Sequence, residues 1–236
     1  MKKKRIVESR MAPRKRVQYL FLVVILLLFS CTNRKEESKT TKNQVVYKID
    51  KEKIKIKWAG YKTNEKIKVE GSFNEFSFNR DGQTFDSVHD LVNGLKFSIN
   101  SLSSSSGDVI RDLNLKDYFF NYFTQDFKIN GIFGEPANDS IDVTFDIFGQ
   151  PKIIRLAFLN YTTSDISAVN QIIEIKGSIS LKSMFGAVKA FNSLHEKCYD
   201  LHKGSDGISK TWEQVDIYIK AHINSSFNKI SNHQNF

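Results

Sequence analysis

The chain has 236 residues, and its 35 lysines and arginines against 26 acidic residues give a formal net charge of +9. Eight of the basic residues and one acidic residue lie within residues 1–30, so the rest of the chain holds 27 basic and 25 acidic residues. This remainder has a net charge of only +2. A nearly neutral domain lacks the basic surface that nucleic-acid binding requires, and we expect no nucleic-acid partner.

The N-terminal segment has the pattern of a secretion signal, which we assign to residues 1–30. The basic residues 14–16 precede an apolar run of 11 residues at positions 19–29. This run is shorter than the roughly 20 residues that a membrane-spanning helix needs. The segment Leu28-Phe29-Ser30-Cys31 resembles the lipobox of bacterial lipoproteins, which implies cleavage before Cys31 and lipid attachment to it. The alternative is an ordinary signal peptide with a chance cysteine. Either Met1 or Met11 can be the true start.

The remaining chain divides into a tether, one domain and a tail. Residues 31–43 predict a flexible tether, because positions 32–43 carry no apolar side chain. The 180 residues from 44 to 223 are enough for a single hydrophobic core. With Cys31 lipidated, Cys198 is left alone and no disulfide within the chain is expected. Residues 224–236 are polar and are interpreted as a C-terminal tail.

Apolar and polar side chains alternate with a period of two through most of the domain, as in half-buried strands. The clearest case is Ile54, Ile56 and Trp58, which alternate with lysines. Further predicted strands are 69–73, 76–78, 95–99, 127–132, 141–148, 152–160, 172–181 and 215–223. Many short strands joined by Gly, Asn and Asp turns predict an all-β fold, either an antiparallel sandwich or a barrel.

Two segments depart from this alternation. Helical spacing predicts one amphipathic helix over residues 183–203, ending near Gly204, from the apolar positions Met184, Ala187, Val188, Phe191, Leu194, Cys198 and Leu201. A second, shorter helical turn is predicted within residues 115–123.

Three residues on one face of the longer predicted helix admit several interpretations. His195, Cys198 and His202 are spaced so that they share this face, and His and Cys are zinc ligands. A catalytic Cys198–His202 pair is a further alternative. Core packing is favoured, because the sequence places no fourth metal ligand and no third catalytic group near them.

The middle of the chain carries a resemblance to a known family. Residues 99–120 contain a Ser-Leu pair, a serine-rich loop, the Arg111-Asp112 pair and the Phe119-Phe120 pair in that order. This order resembles the YceI-like, polyisoprenoid-binding family. Residues 69–76 resemble the family's Val-x-Gly-x-Phe-x-x-Phe strand, residues 148–152 its later strand-turn-strand, and residues 184–186 its Phe-Gly pair. The resemblance spans residues 45–223, but residues 184–211 are enlarged and residues 129–137 match poorly.

The resemblance implies a lipocalin-like antiparallel β-barrel of about eight strands, with the helix inserted near its C-terminal end. It also implies non-catalytic binding of a long-chain isoprenoid or fatty amphiphile, without a cofactor or a metal. Such a protein would sequester or transport this lipid in the cell envelope. The lipid on Cys31 would hold it at the periplasmic face of the outer membrane or at the cell surface, as a monomer or a homodimer.

The residues that we expect to face the ligand follow from the alternation. They are Ile54, Ile56, Trp58, Val69, Phe73, Leu95, Phe97, Ile217 and Ile219. The same pattern also fits a closed core that holds no ligand. Arg111 either meets the polar head of the ligand, since its planar fork suits phosphate, or fixes the serine-rich loop together with Asp112.

Two other functions remain alternatives. One is an envelope interaction protein with a closed barrel that docks a partner through the helix at residues 184–203. The other is a hydrolase or a metal site at His195, Cys198 and His202. An apolar tunnel in the barrel would favour the lipid carrier over both.

Overall fold

A computed structural model describes residues 43–124, 126–147, 149–165 and 168–229. These residues form ten strands: β1 Asn43–Lys62, β2 Ile67–Phe73, β3 Phe76–Phe78, β4 Lys96–Asn100, β5 Ser104–Ser105, β6 Lys128–Ala137, β7 Ser140–Ile147, β8 Gln150–Asp165, β9 Ala168–Ser180 and β10 Gln214–Lys229. Their helices are α1 Val88–Val92, α2 Val109–Leu115, α3 Asn121–Phe123, α4 Leu181–Phe185 and α5 Val188–Lys197. A π-helical turn, Lys116–Phe120, joins α2 to α3, and 3₁₀ turns occupy Ser101–Ser103 and Asp200–His202.

The strands form one antiparallel sheet that closes on itself. Neighbouring strands follow the order β3-β4-β6-β7-β8-β9-β10-β1-β2-β5. The strands at the two ends of this order are continuous along the chain with each other's partners. Only two residues separate β2 from β3, and only three separate β4 from β5. The pairs Phe73–Ser104 and Phe76–Ile99 join these segments to each other. If β2–β3 and β4–β5 each count as one interrupted strand, the sheet is an eight-stranded barrel, as predicted.

The strand directions give the barrel two different ends. One end, which we call the α1 end, carries α1 together with Asn43 and Lys229, which are paired with each other. Leu91 of α1 is buried in the core there, and α1 packs against β1 and β6. The other end carries both long helical connections, with α2 and α3 in the first and α4 and α5 in the second. We call it the helical end.

Phenylalanine rings close much of the helical end. Phe119 of the π-helical turn lies at the centre, with its ring centroid 5.2 Å from Phe191 of α5 and 5.4 Å from Phe120. Phe123 of α3 is a third neighbour at 5.2 Å. All four side chains are buried. The two helical connections therefore form one lid, defined by residues 109–123 and 181–202, over the barrel.

The predicted helix over residues 183–203 is interrupted in the structure. Gly186 has a positive φ of 65°, and its N–H donates to the Lys182 carbonyl, so α4 ends there. A new helix, α5, begins at Val188, and the Asp200–His202 turn follows it. Of the predicted apolar positions, Ala187, Phe191, Leu194 and Cys198 are buried, whereas Val188 and Leu201 are exposed. The shorter helical segment, predicted within residues 115–123, begins earlier, at Val109, where the Asp108 side chain caps α2.

The last strand runs past the predicted end of the domain. Residues 224–229, which were expected to form part of a polar tail, pair with β1 from Asn224–Lys48 to Lys229–Asn43. Backbone pairing with β1 holds this segment, and it does not require apolar side chains. The predicted signal peptide, the tether up to residue 42 and Cys31 lie outside the described residues. None of the described helices has the length and apolarity needed to cross a bilayer.

Candidate functional site

The barrel contains an apolar cavity with a volume of about 420 Å³. This volume falls within the range of about 300–1,000 Å³ that is usual for small-molecule sites. Inward-facing residues of seven strands contribute to its wall, and the lid covers the helical end. Its aromatic lining is Trp58, Tyr61, Phe73, Phe97, Phe119, Phe120, Phe123, Phe145, Phe191 and Trp212. Such a lining favours a hydrocarbon over a polar ligand, because few wall groups can replace the hydrogen bonds of a polar molecule with water.

The structure places seven of the nine predicted lining residues on the cavity wall. They are Ile56, Trp58, Val69, Phe73, Phe97, Ile217 and Ile219. Ile54 and Leu95 are buried in the surrounding core but do not line the cavity. Ile54 lies in the irregular stretch between Asp50 and Lys55, and the Leu95 N–H donates to the Val92 carbonyl of α1, which fills that end. Contact with a ligand remains a prediction for all nine.

The lid supplies wall residues that the strand pattern could not indicate. Phe119, Phe120, Phe123, Phe191 and Leu194 line the cavity from the two helical connections. The Phe119-Phe120 pair and the apolar stripe of α5 were visible as sequence features. Their spacing indicated a buried face, but it carried no information on which surface they would cover.

Both tryptophans of the chain line the cavity and are held by hydrogen bonds. The Trp58 Nε1 donates to Ser104 Oγ at 3.1 Å, and the Trp212 Nε1 donates to the Thr63 carbonyl at 2.8 Å. Gly71 pairs with Trp58 across β1 and β2, and a Cβ there would lie 2.6 Å from Cζ2 of the indole. This close approach explains the glycine of the β2 motif, since a larger residue would displace Trp58 from the wall.

The cavity opens to solvent at the helical end, between the end of β1, α2 and the Asp200–His202 turn. The lining residues Ile110 and Leu201 are largely exposed there. The charged residues among the described lining are Lys57, Lys62, Asp108 and Arg111. Lys57 lies on the outward face of β1 near Glu70, so the mouth itself carries the cations Lys62 and Arg111 against the carboxylate of Asp108, a net positive charge. A positive mouth on an apolar cavity suits an amphiphile with an acidic head.

Arg111 and Asp112 have separate partners. The Asp112 carboxylate accepts hydrogen bonds from the Ser106 N–H at 2.9 Å and the Ser106 hydroxyl at 2.6 Å, so it fixes the serine-rich loop. The Arg111 guanidinium lies 3.5 Å from Asp108, and its side chain is partly exposed at the mouth. The Arg111 N–H also donates to the Asp108 carboxylate and lowers its pKa. Asp112 therefore fixes the serine-rich loop and Asp108 caps α2, while Arg111 is paired with Asp108 and lines the mouth.

The two histidines of the longer helical segment share one hydroxyl. The Thr211 Oγ1 lies 3.1 Å from Nδ1 of His195 and 2.6 Å from Nδ1 of His202. A hydroxyl has one proton, so Thr211 can donate to only one of the two rings, and at least one ring donates its Nδ1 proton to the Thr211 oxygen. Burial raises the pKa of the Cys198 thiol. Within the described ranges, no group of three or more His, Cys, Asp or Glu side chains is placed to hold a metal ion.

The stability of the domain should fall at mildly acidic pH because of His202. Burial, together with the positive charges of Lys62 and His195, lowers its pKa from 6.5 to about 4. Below pH 6.5 the unfolded chain therefore binds a proton that the folded chain does not, and stability is lost as the pH falls towards 4. Because His202 is only partly buried, we expect it to remove roughly 1–2 kcal/mol between pH 7.5 and pH 4.5. Urea unfolding at both pH values should show a smaller loss for His202→Gln. Equal losses in both proteins would contradict the assignment.

Comparisons with known proteins add information on the fold. No protein-family model matches the sequence, and neither does any curated protein. The structure does match a polyisoprenoid binding domain from Saccharophagus degradans, implicated in plant cell wall breakdown, with a TM-score of 0.54 and 13% identity. The match covers 76% of this chain and 98% of that domain. The chain has the fold of that domain. The YceI-like, lipocalin-like fold expected from the sequence is thus confirmed.

Two further solved structures match with lower TM-scores. BcnA from Burkholderia cenocepacia has a TM-score of 0.44 and 16% identity, over 76% of this chain and 99% of that chain. The YceI protein from Campylobacter jejuni has a TM-score of 0.44 and 18% identity, over 69% of this chain and 86% of that chain.

Proposed function

We propose that the protein binds one long-chain amphiphile of the isoprenoid or fatty-acid type in its barrel and performs no chemical step on it. The observation that carries this proposal is the 420 Å³ apolar cavity with a positive mouth at one end of an eight-stranded barrel. The match to a polyisoprenoid binding domain supports the same class of ligand. The apolar tail would lie in the barrel, and the acidic head would lie near Arg111 and Lys62.

The energetics favour long chains over short ones. Each methylene that leaves water contributes about 0.8 kcal/mol, so ten buried methylenes contribute roughly 8 kcal/mol. Loss of translational and rotational freedom costs at least about 4 kcal/mol. A chain of four or five methylenes therefore gains almost nothing, whereas a chain of ten or more binds.

Chain-length dependence is the test of this proposal. We expect the fluorescence of Trp58 and Trp212 to change on titration with a C16 fatty acid, because both indoles lie on the cavity wall. Affinity should rise by about fourfold for each added methylene until the cavity is full. The C8 acid should bind at least about a hundredfold more weakly than the C16 acid. Equal affinities for the two acids, each kept below its micelle concentration, would contradict binding in the barrel.

We further propose that the protein acts in the cell envelope, held there by lipid on Cys31, and either sequesters or transports its ligand. The sequence pattern before Cys31 supports the anchor. Asn43 lies at the α1 end of β1, and Lys62, at the other end of this strand, lies at the mouth. Intact mass measurement of the protein isolated from bacterial membranes should show an N-terminal acylated cysteine. Cys31→Ser should abolish the acylation, and an unmodified wild-type N-terminus would contradict the anchor.

A further inference from the structure

Exposed apolar side chains surround the mouth of the cavity. Val109, Ile110 and Leu113 of α2 are 74%, 69% and 52% exposed, and Leu201 of the turn after α5 is 61% exposed. We call these four residues the rim. A helix that presents three large aliphatic side chains to solvent in seven residues gains nothing from this exposure in water. Such a patch marks a surface that contacts another apolar phase.

The rim is continuous with the cavity wall. Ile110 and Leu201 belong to both, because each lines the cavity and is exposed. Val109 and Leu113 lie four residues apart on α2 and therefore extend the same surface outward. A hydrocarbon chain that left the cavity between α2 and the Asp200–His202 turn would contact Ile110 and Leu201 at the opening and then the rest of the rim.

Positive charges lie directly beside the rim. Lys62 and Arg111 line the same mouth with Asp108, and the Lys62 ammonium donates to the carbonyl of the rim residue Leu201 at 3.1 Å. The carboxylate of the next residue on α2, Asp112, is directed to the Ser106 hydroxyl and N–H. Aliphatic side chains flanked by lysine and arginine are the combination by which protein surfaces enter the interface of an anionic bilayer.

We infer that the rim docks on the surface of an anionic lipid bilayer and that the ligand passes between bilayer and cavity there. The inference rests on the proposed function, since the rim has this use only if the cavity holds a lipid. Continuity between the rim and the lipid cavity favours a bilayer over a protein partner, because only the bilayer offers the hydrocarbon that the cavity would receive.

The first experiment locates the docked surface with a fluorophore. The full chain with Cys31→Ser carries an environment-sensitive label either at Val109→Cys in the rim or at Ile153→Cys, an equally exposed residue on the outer wall of β8. Both proteins also carry Cys198→Ala, because Cys198 is buried but lines the cavity and would offer a second site for the label. With vesicles of phosphatidylcholine and phosphatidylglycerol, the emission of the rim label should shift to shorter wavelength and be quenched by brominated lipid. The emission of the label at position 153 should stay unchanged, even if the N-terminal segment also binds the vesicle.

Two results would overturn the inference. One is an equal response of both labels, and the other is the same response of the rim label to vesicles of phosphatidylcholine alone. The first would mean that the rim does not enter the bilayer more than the outer wall does. The second would mean that the positive mouth does not select an anionic surface.

A second experiment separates docking from ligand binding. The double variant Val109→Ser/Leu113→Ser changes rim residues that do not line the cavity, and Ile153→Ser is its matched control. We expect the double variant to take up a fluorescent fatty acid from anionic vesicles several-fold more slowly than the control. Its affinity for the same acid in buffer should be unchanged. Equal uptake rates overturn the docking inference alone, whereas failure of every protein to bind the acid in buffer overturns the proposed function.

Discussion

Ile217→Trp is expected to lower the affinity for a C16 fatty acid by roughly 15-fold. Ile217 of β10 lies on the cavity wall beside Trp58, its partner across β1 and β10. Exchange of isoleucine for tryptophan adds a net volume of about 60 Å³ to the wall of the 420 Å³ cavity and excludes about two methylenes, each worth about 0.8 kcal/mol. The resulting loss of about 1.6 kcal/mol corresponds to this change in affinity. Isothermal titration calorimetry measures it without reference to tryptophan emission.

The matched control for this variant is Ile153→Trp, which places the same side chain on the outer wall of β8. Ile153 is largely exposed, so the control should bind the acid as the wild-type protein does. Circular dichroism should show strand content unchanged in both variants. If Ile217→Trp binds as tightly as the control, the ligand does not occupy the barrel.

Leu91→Ala is expected to destabilise the domain by about 2–5 kcal/mol, the usual range when a buried leucine leaves a cavity. Leu91 is 1% exposed and packs where α1 fills the end of the barrel opposite the mouth. It does not line the ligand cavity, so the effect should appear in folding rather than in affinity. Urea unfolding gives the free energy, and Ile67→Ala, at a half-exposed residue of β2, should change it by less than about 0.5 kcal/mol. Similar losses for both variants would contradict the packing of α1 into the core.

The alternation of the sequence predicted the barrel wall because it reports a local property. A side chain such as Ile56 or Ile219 faces inward through the pleat of its own strand, whichever strands lie beside it. Closure of the sheet depends instead on pairing between residues 72–78 and 97–105, which are distant in sequence. The family resemblance, not the alternation, distinguished the barrel from a sandwich.

The lid and the mouth could not be predicted in the same way. Helical spacing showed that Phe191 and Leu194 would be buried, but their position over the cavity depends on contact with Phe119 from another connection. The break at Gly186 was hidden, because the apolar spacing continues across it while the backbone turns left-handed. Residues 224–229 were wrongly predicted to belong to a polar tail. Their pairing with β1 is made by the backbone, and it cannot be recognised from the polarity of their side chains.

The different partners of Arg111 and Asp112 could also not be predicted from the sequence. The sequence left open whether Arg111 meets the head of a ligand or fixes the serine-rich loop together with Asp112. Adjacent residues on a helix point in different directions, and the partners are accordingly Asp108 for one and Ser106 for the other. Arg111 is thereby left at the mouth, where the head of an acidic lipid would lie.

Mass spectrometry of lipid extracted from the gently purified protein tests the central claim most directly. The account predicts about one equivalent of a long-chain amphiphile bound to the Ile153→Trp control and a large loss of it from Ile217→Trp. Absence of bound lipid from the control, or equal amounts in the two proteins, would contradict a barrel that carries a hydrocarbon chain.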